Sequence, residues 1–150
     1  MAIWQYTFYI IPKESLISGI FIPQYDEDGL FEDDIYWEKV RADTSIFDSV
    51  EKIAPKNKSW SENILLFGDE DSNCFEIYHK SNYVESVTFR VDFFSDYELF
   101  LGHILDFIRF NDLILLNEQN QITEPDYLSI KNLMENSHQA KLYHKLSSKE

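Results

Sequence analysis

The chain has 150 residues, of which 44% are hydrophobic and 16% aromatic, enough to pack one domain and to argue against global disorder. Its 27 acidic and 13 basic residues give a formal net charge of −14, which disfavours nucleic acid and anionic membrane surfaces as partners. A single cysteine excludes an internal disulfide framework, and no apolar run approaches the roughly 18 residues of a bilayer span. We expect a cytoplasmic protein.

The first quarter of the chain predicts a strand, a loop and a second strand. Residues 2–11 are rich in aromatic and β-branched side chains, which favours a strand that ends at Pro12. Residues 15–23 fit either a short strand or a helical turn. An acidic loop follows, and residues 34–40 then fit a strand.

The middle of the chain predicts one helix and three strands. Apolar residues recur at helical spacing over residues 45–54, with Ser45 as the N-cap. Residues 62–68, 74–80 and 83–93 read as strands separated by polar turns. In the third of these strands apolar and polar residues alternate, which indicates an antiparallel sheet with one covered side.

The last third predicts helices around one further strand. Residues 95–98 match a capping box at the start of an amphipathic helix, and residues 113–117 read as a buried strand. We expect Thr123 to cap another helix, and residues 138–146 to form a short final one. The chain therefore predicts a single α+β domain over residues 1–150, a mostly antiparallel sheet of about five to six strands with two to three helices packed on one face.

The acidic stretch 25–38 has the composition of a metal loop but not the spacing of one. If Gly29 takes the place of the invariant glycine of a calcium loop, Gln24 and Ile35 fall at ligand positions. A second acidic turn has Cys74 where that glycine should be. The histidines offer no spacing that pairs two zinc ligands. We therefore predict no metal site and no cofactor.

Catalytic motifs are missing from the sequence as well. It contains no G-x-S-x-G elbow, and its four glycines are too far apart to form a phosphate loop. Cys74 reads as a buried, inert thiol. His103 lies beside the apolar face of the main helix, where a hydrogen-bonded histidine is commoner than a general base. We predict no enzymatic activity and no catalytic residues.

Two interpretations of the acidic stretch remain. In one, its aromatic side chains turn into the core while its acids face water. In the other, aromatics rimmed by charge form a surface for a basic partner, together with a second acidic turn at residues 68–72. The candidate partner-binding residues are Asp26, Asp28, Phe31, Asp33, Asp34, Tyr36, Trp37, Asp69, Glu70 and Asp71.

The layout resembles the small acidic immunity proteins of bacterial toxin–immunity systems, including those of contact-dependent growth inhibition. The resemblance lies in the strand "WQYTFYI", the run from "SWSENILLFGDEDS" to "VTFRVDF" and the capped helix after it. It implies a non-enzymatic protein that binds one cognate toxin domain, often a basic nuclease, and blocks its active site. It implies no individual contact residues, so the candidates above rest on charge and aromatic placement.

Two other functions stay open at this stage. A small-ligand-binding protein or enzyme would use a pocket between sheet and helix, with Arg90, Asp92 and His103 as its polar groups. A homo-oligomeric structural protein would associate through an exposed strand edge. The sequence leaves the oligomeric state open.

Overall fold

A seven-stranded antiparallel sheet organises the described part of the chain, residues 4–147 of this computed structural model. Its strands are β1 (Gln5–Pro12), β2 (Lys56–Asn57), β3 (Ile64–Gly68), β4 (Cys74–Lys80), β5 (Tyr83–Asp92), β6 (Leu113–Leu116) and β7 (Ile122–Thr123). Their spatial order is β2-β3-β4-β5-β1-β6-β7, so β1 lies between β5 and β6. The predicted α+β class is confirmed. The sheet exceeds five to six strands because a two-residue strand is added at each edge.

Helices lie between the strands and after the last one. They are α1 (Asp34–Val40), α2 (Glu98–Phe110), α3 (Tyr127–Glu135) and α4 (His138–Ser147), with 3-10 helices at Lys13–Ser15 and Thr44–Lys52. The final helix lies where the sequence predicts it. The segment predicted to be helical over residues 45–54 is a 3-10 helix, and Asp43 caps it by accepting the Ser45 N–H at 2.8 Å.

Helix α1 contradicts the strand predicted at residues 34–40. Its first turn carries Asp34, whose charge suits the positive end of the helix dipole. Arg41 ends the helix in the left-handed region, with its N–H on the Trp37 carbonyl at 2.9 Å. Alternation over so few residues fits either type of element, and contacts with β1 and β5 decide between them here.

Three predicted helix N-caps are wrong: Ser45, which lies inside the 3-10 helix that Asp43 caps, Ser95 and Thr123. Ser95 accepts from Asn73 at 2.6 Å and donates to the Asp92 carbonyl at 3.0 Å, and α2 begins later, at Glu98. Thr123 lies in β7. Helix α3 is capped instead by Asp126, which accepts the N–H of Ser129 at 3.0 Å.

The main core fills the space between one face of the sheet and the helices. The Phe8 and Phe89 rings stack with centroids 4.8 Å apart, and Phe75 continues the stack on β4. Helix α2 covers them with its predicted apolar face. Fully buried members of this core include Phe8, Ile10, Trp37, Phe47, Val50, Phe75, Ile77, Val87, Phe89, Val91, Leu101, Ile104, Leu105, Ile108, Leu115, Ile130 and Met134. The alternation predicted for β5 is confirmed.

The second face of the sheet is only partly covered. A smaller apolar cluster forms around Ile11, Tyr36 and Leu116, with Phe21 and Phe31 packed against it. The connection from β1 to α1 supplies this cover. Beyond it, β1, β4 and β5 present polar side chains, and we call this uncovered part the open face. Both acidic segments are attached to it, one through Asp33 and Ser86 and the other through Glu70 and Arg90.

Candidate partner-binding surface

The acidic stretch forms an internally bonded turn before α1. The Asp26 carboxylate accepts the N–H groups of Asp28 at 2.8 Å and Leu30 at 2.9 Å. Gly29 takes a φ of +79°, and Tyr25 bridges to Phe31 across the turn. These bonds satisfy the backbone within the turn and hold its shape without a partner.

The aromatic side chains of this stretch turn inward. Phe31 is partly buried, its ring packed edge-on against Tyr9 with centroids 5.3 Å apart. Tyr36 is 4% exposed and its hydroxyl donates to the Ile22 carbonyl at 2.6 Å. Trp37 is fully buried, and its indole N–H donates to the carbonyl of Ile10 at 2.9 Å. Tyr36 and Trp37 are therefore structural residues, which corrects their assignment as partner contacts.

Exposed aliphatic side chains lie nearby instead, and sequence reasoning missed them. Ile17, Ile20, Ile22 and Leu30 are between 62% and 73% exposed. We call these four side chains the aliphatic surface. Local sequence pattern does not distinguish an exposed isoleucine from a buried one. The sequence shows only that no basic residue lies between Lys13 and Lys39.

The four candidate acids of this stretch divide into two kinds. Asp28 and Asp34 are exposed and Asp26 is partly exposed, whereas Asp33 is 8% exposed. The Asp33 carboxylate accepts from the Ser86 hydroxyl on β5. Burial raises the pKa of Asp33 to about 6, against a smaller lowering by this hydrogen bond. Asp33 thus joins the start of α1 to the sheet, and the other three acids face solvent.

The second acidic turn is attached to the open face through its backbone. The Glu70 carbonyl accepts from Arg90 Nη2 at 3.0 Å and from Gln5 Nε2 at 3.1 Å. The Asp69 carboxylate accepts the Asp71 N–H at 3.0 Å. Because the backbone faces the sheet, the side chains of Asp69, Glu70 and Asp71 remain exposed.

A polar groove of about 840 Å³ lies on the open face, and Asp33 and Asp34 at the start of α1 contribute to its lining. Its floor includes Ser86, Thr88 and Arg90, alternate residues of β5. Ser86 meets the first acidic turn and Arg90 meets the second, and four residues of strand place them about 13 Å apart. The remaining lining residues are Thr7, Tyr9, Asp33, Asp34, Tyr78, Glu85, Glu118, Gln119 and Gln139.

The groove carries more negative than positive charge. Arg90 is the one basic side chain among its lining residues, and its Nη1 lies 2.6 Å from Oε1 of the buried Glu76. That ion pair neutralises Arg90. The exposed Asp34 and Glu85, by contrast, have no ion pair among residues 4–147. The groove therefore attracts cations.

Two tyrosines add neutral hydrogen-bonding groups to the groove. Burial, and then the nearby Asp33 carboxylate, raise the pKa of Tyr9. Burial, and then Glu76, raise the pKa of Tyr78. Both phenols therefore keep their protons at neutral pH and can donate or accept hydrogen bonds.

The side chains suggested for a small-ligand pocket do not converge. Arg90 lies on the open face, while Asp92 is buried and accepts the N–H of Phe94 at 2.8 Å. His103 is exposed on α2. The space between sheet and α2 contains fully buried side chains such as Phe89 and Ile104. Cys74 is buried as well, and burial raises the pKa of its thiol to about 12.

Comparison with known proteins adds no relative to this picture. The sequence matches no protein-family model, no curated protein and no solved structure. Within residues 4–147, none of the helices has the length and apolar character to cross a bilayer. The same residues contain no group of three or more His, Cys, Asp or Glu side chains that could hold a metal ion.

Proposed function

We propose that this protein is a non-enzymatic immunity protein, which binds and neutralises a cognate basic toxin domain in the cytoplasm. One observation carries the proposal. Two acidic turns that are far apart in the sequence are attached to the same face of the sheet, one through Asp33 and Ser86 and the other through Glu70 and Arg90. Asp33 and Asp34 line the polar groove between these attachments, and Arg90, which bonds the second turn, lines it as well.

Electrostatics supports a basic protein as the partner. A net charge of −14 together with acids gathered at one face accelerates association with a cationic surface. Like charges held close together also cost stability, since they repel each other in the folded state. A function in binding accounts for that cost.

A nuclease is the toxin class that this surface suits best. Nucleases bind phosphates through basic side chains, and those side chains would meet carboxylates here. The exposed Asp34 and Glu85 offer acceptors within the groove, and the exposed Asp69 and Asp71 lie on the turn whose Glu70 carbonyl accepts from the lining residue Arg90. Occupation of the phosphate-binding cleft would then block the toxin without any chemical step.

A growth assay tests the proposal. The C-terminal domain encoded immediately upstream at the native locus is expressed with and without this chain. We expect growth arrest that the chain relieves, and a complex between the two purified proteins that weakens as salt rises. Arrest that this chain leaves unchanged, or the absence of arrest, would contradict the proposal.

A further inference from the structure

The segment between β1 and α1 has an inner and an outer side. Phe21 and Phe31 point towards the sheet and join the smaller apolar cluster. Their neighbours Ile22 and Leu30 are exposed on the outer side, as expected where side chains of extended backbone alternate. Ile22 and Leu30 therefore lie together on the outer side of this segment.

A second pair of aliphatic side chains continues this pattern. Ile17 and Ile20 bridge each other across a tight turn, with the Ile20 N–H on the Ile17 carbonyl at 3.0 Å. Ser18 and Gly19 form that turn with φ values of 53° and 73°. Residues directly opposite each other in such a pair present side chains on the same face. The turn therefore holds both isoleucines out together.

Side-chain hydrogen bonds hold the backbone at Ile22 and Leu30 before any partner binds. The Tyr36 hydroxyl bonds the Ile22 carbonyl at 2.6 Å, and the Asp26 carboxylate fixes the backbone of Leu30. The Phe21 and Tyr36 rings lie 5.5 Å apart underneath. A rigid apolar surface loses little conformational entropy on binding, which favours affinity.

Charge around the aliphatic surface selects the occupant. Glu27 and Asp28 are exposed in the turn that carries Leu30, Lys39 Nζ lies 5.8 Å from the centroid of the Tyr36 ring, and the chain as a whole has a net charge of −14. A second copy of this chain would bring like charges together, and anionic lipid would be repelled in the same way. A protein with an apolar patch surrounded by lysine and arginine would cover the aliphatic side chains and pair with the acids around them.

We infer that Ile17, Ile20, Ile22 and Leu30 are the anchor that the toxin domain buries, against an apolar patch that basic side chains surround. The inference rests on the proposed function and replaces the buried Tyr36 and Trp37 as contact residues. The acids set the rate of approach, and the aliphatic surface sets the lifetime of the complex.

The test compares matched variants in binding kinetics. Ile20→Ser and Leu30→Ser, singly and together, remove two side chains of the anchor that are 62% and 65% exposed. As controls, Leu99→Ser and Leu128→Ser remove similarly exposed leucines, 74% and 73%, on α2 and α3. The probe is the immobilised C-terminal domain encoded immediately upstream. We expect the anchor double variant to dissociate at least about tenfold faster with an unchanged association rate, and the controls to match wild type.

The outcomes separate the two proposals. If wild type binds and relieves arrest while the anchor variants dissociate like wild type, the anchor assignment fails and the immunity function stands. Equal weakening in anchor and control variants would also overturn the anchor. If wild type neither binds nor relieves arrest, the function fails and the anchor with it. Thermal unfolding checks that each variant folds, and the single variants carry the test if the double variant unfolds early.

Discussion

At the residue scale, Asp33 shows how burial changes the role of an acid in this protein. Its carboxylate is 8% exposed, and burial raises its pKa to about 6 from 3.8. Between these two pH values the folded chain binds more protons than the unfolded chain. The contribution of Asp33 to stability is therefore fully present below about pH 4 and is lost as pH rises through 6.

Asp33→Asn should remove this pH dependence, because the amide does not titrate and its carbonyl oxygen can still accept from Ser86. As pH falls from 7 to 4, we expect the free energy of unfolding of the wild type to increase by about 1–3 kcal/mol more than that of the variant. Urea denaturation of both proteins at several pH values measures the difference, since the other titrating groups are common to both. Parallel pH profiles would show that Asp33 does not titrate in this range.

At the scale of elements, two glycines have different roles, one in a turn and the other in a helix. Gly68 ends β3 with a φ of +87°, and a Cβ there would lie 2.4 Å from the Asn73 carbonyl oxygen. Gly102 lies inside α2, where an added Cβ meets no atom within 4 Å. The first glycine is required by the second acidic turn, whereas the second only weakens its helix.

Substitution by alanine should therefore have opposite effects at these two positions. Gly68→Ala should lower the free energy of unfolding by about 2 kcal/mol, because the turn must move or strain. Gly102→Ala should raise it by about 0.5–1 kcal/mol through helix propensity. Chemical denaturation measures both, and a Gly68→Ala variant as stable as wild type would mean that the turn adapts at no cost.

At the scale of the whole molecule, the position of charge matters as well as its sum. Asp28→Lys with Asp34→Lys reverses two exposed acids on the proposed surface. Glu124→Lys with Glu135→Lys reverses two exposed acids away from it, at and before α3, with the same change in net charge. We expect the first pair to slow association several-fold more than the second and to flatten its salt dependence.

Stopped-flow mixing of each double variant with the toxin domain, both free in solution, measures the association rates at low and at moderate salt. Equal slowing by both pairs would mean that only net charge steers the partner, and would count against the assigned surface. Dissociation rates should change little in either pair, since exposed rim charges act mainly on the encounter.

Much of the fold follows from local pattern. The alternation of Val87, Phe89 and Val91 predicts a strand with one covered side, and the apolar stripe of α2 predicts the helix that covers it. Composition alone predicts one acidic domain with a substantial core. These features are local or additive, so neighbouring residues are enough to determine them.

Which side chains form the candidate partner-binding surface depends on tertiary structure. Short segments such as residues 34–40 fit a strand or a helix equally well, and packing against β1 and β5 makes that segment α1. The sequence indicated a surface of acids and aromatics, but the fold buries Tyr36, Trp37 and Asp33 and exposes isoleucines. Burial depends on partners distant in the chain, such as Ser86 for Asp33. The sequence by itself therefore determined the charge, the five longer strands and the main helix, and long-range contacts decided which side chains a partner can reach.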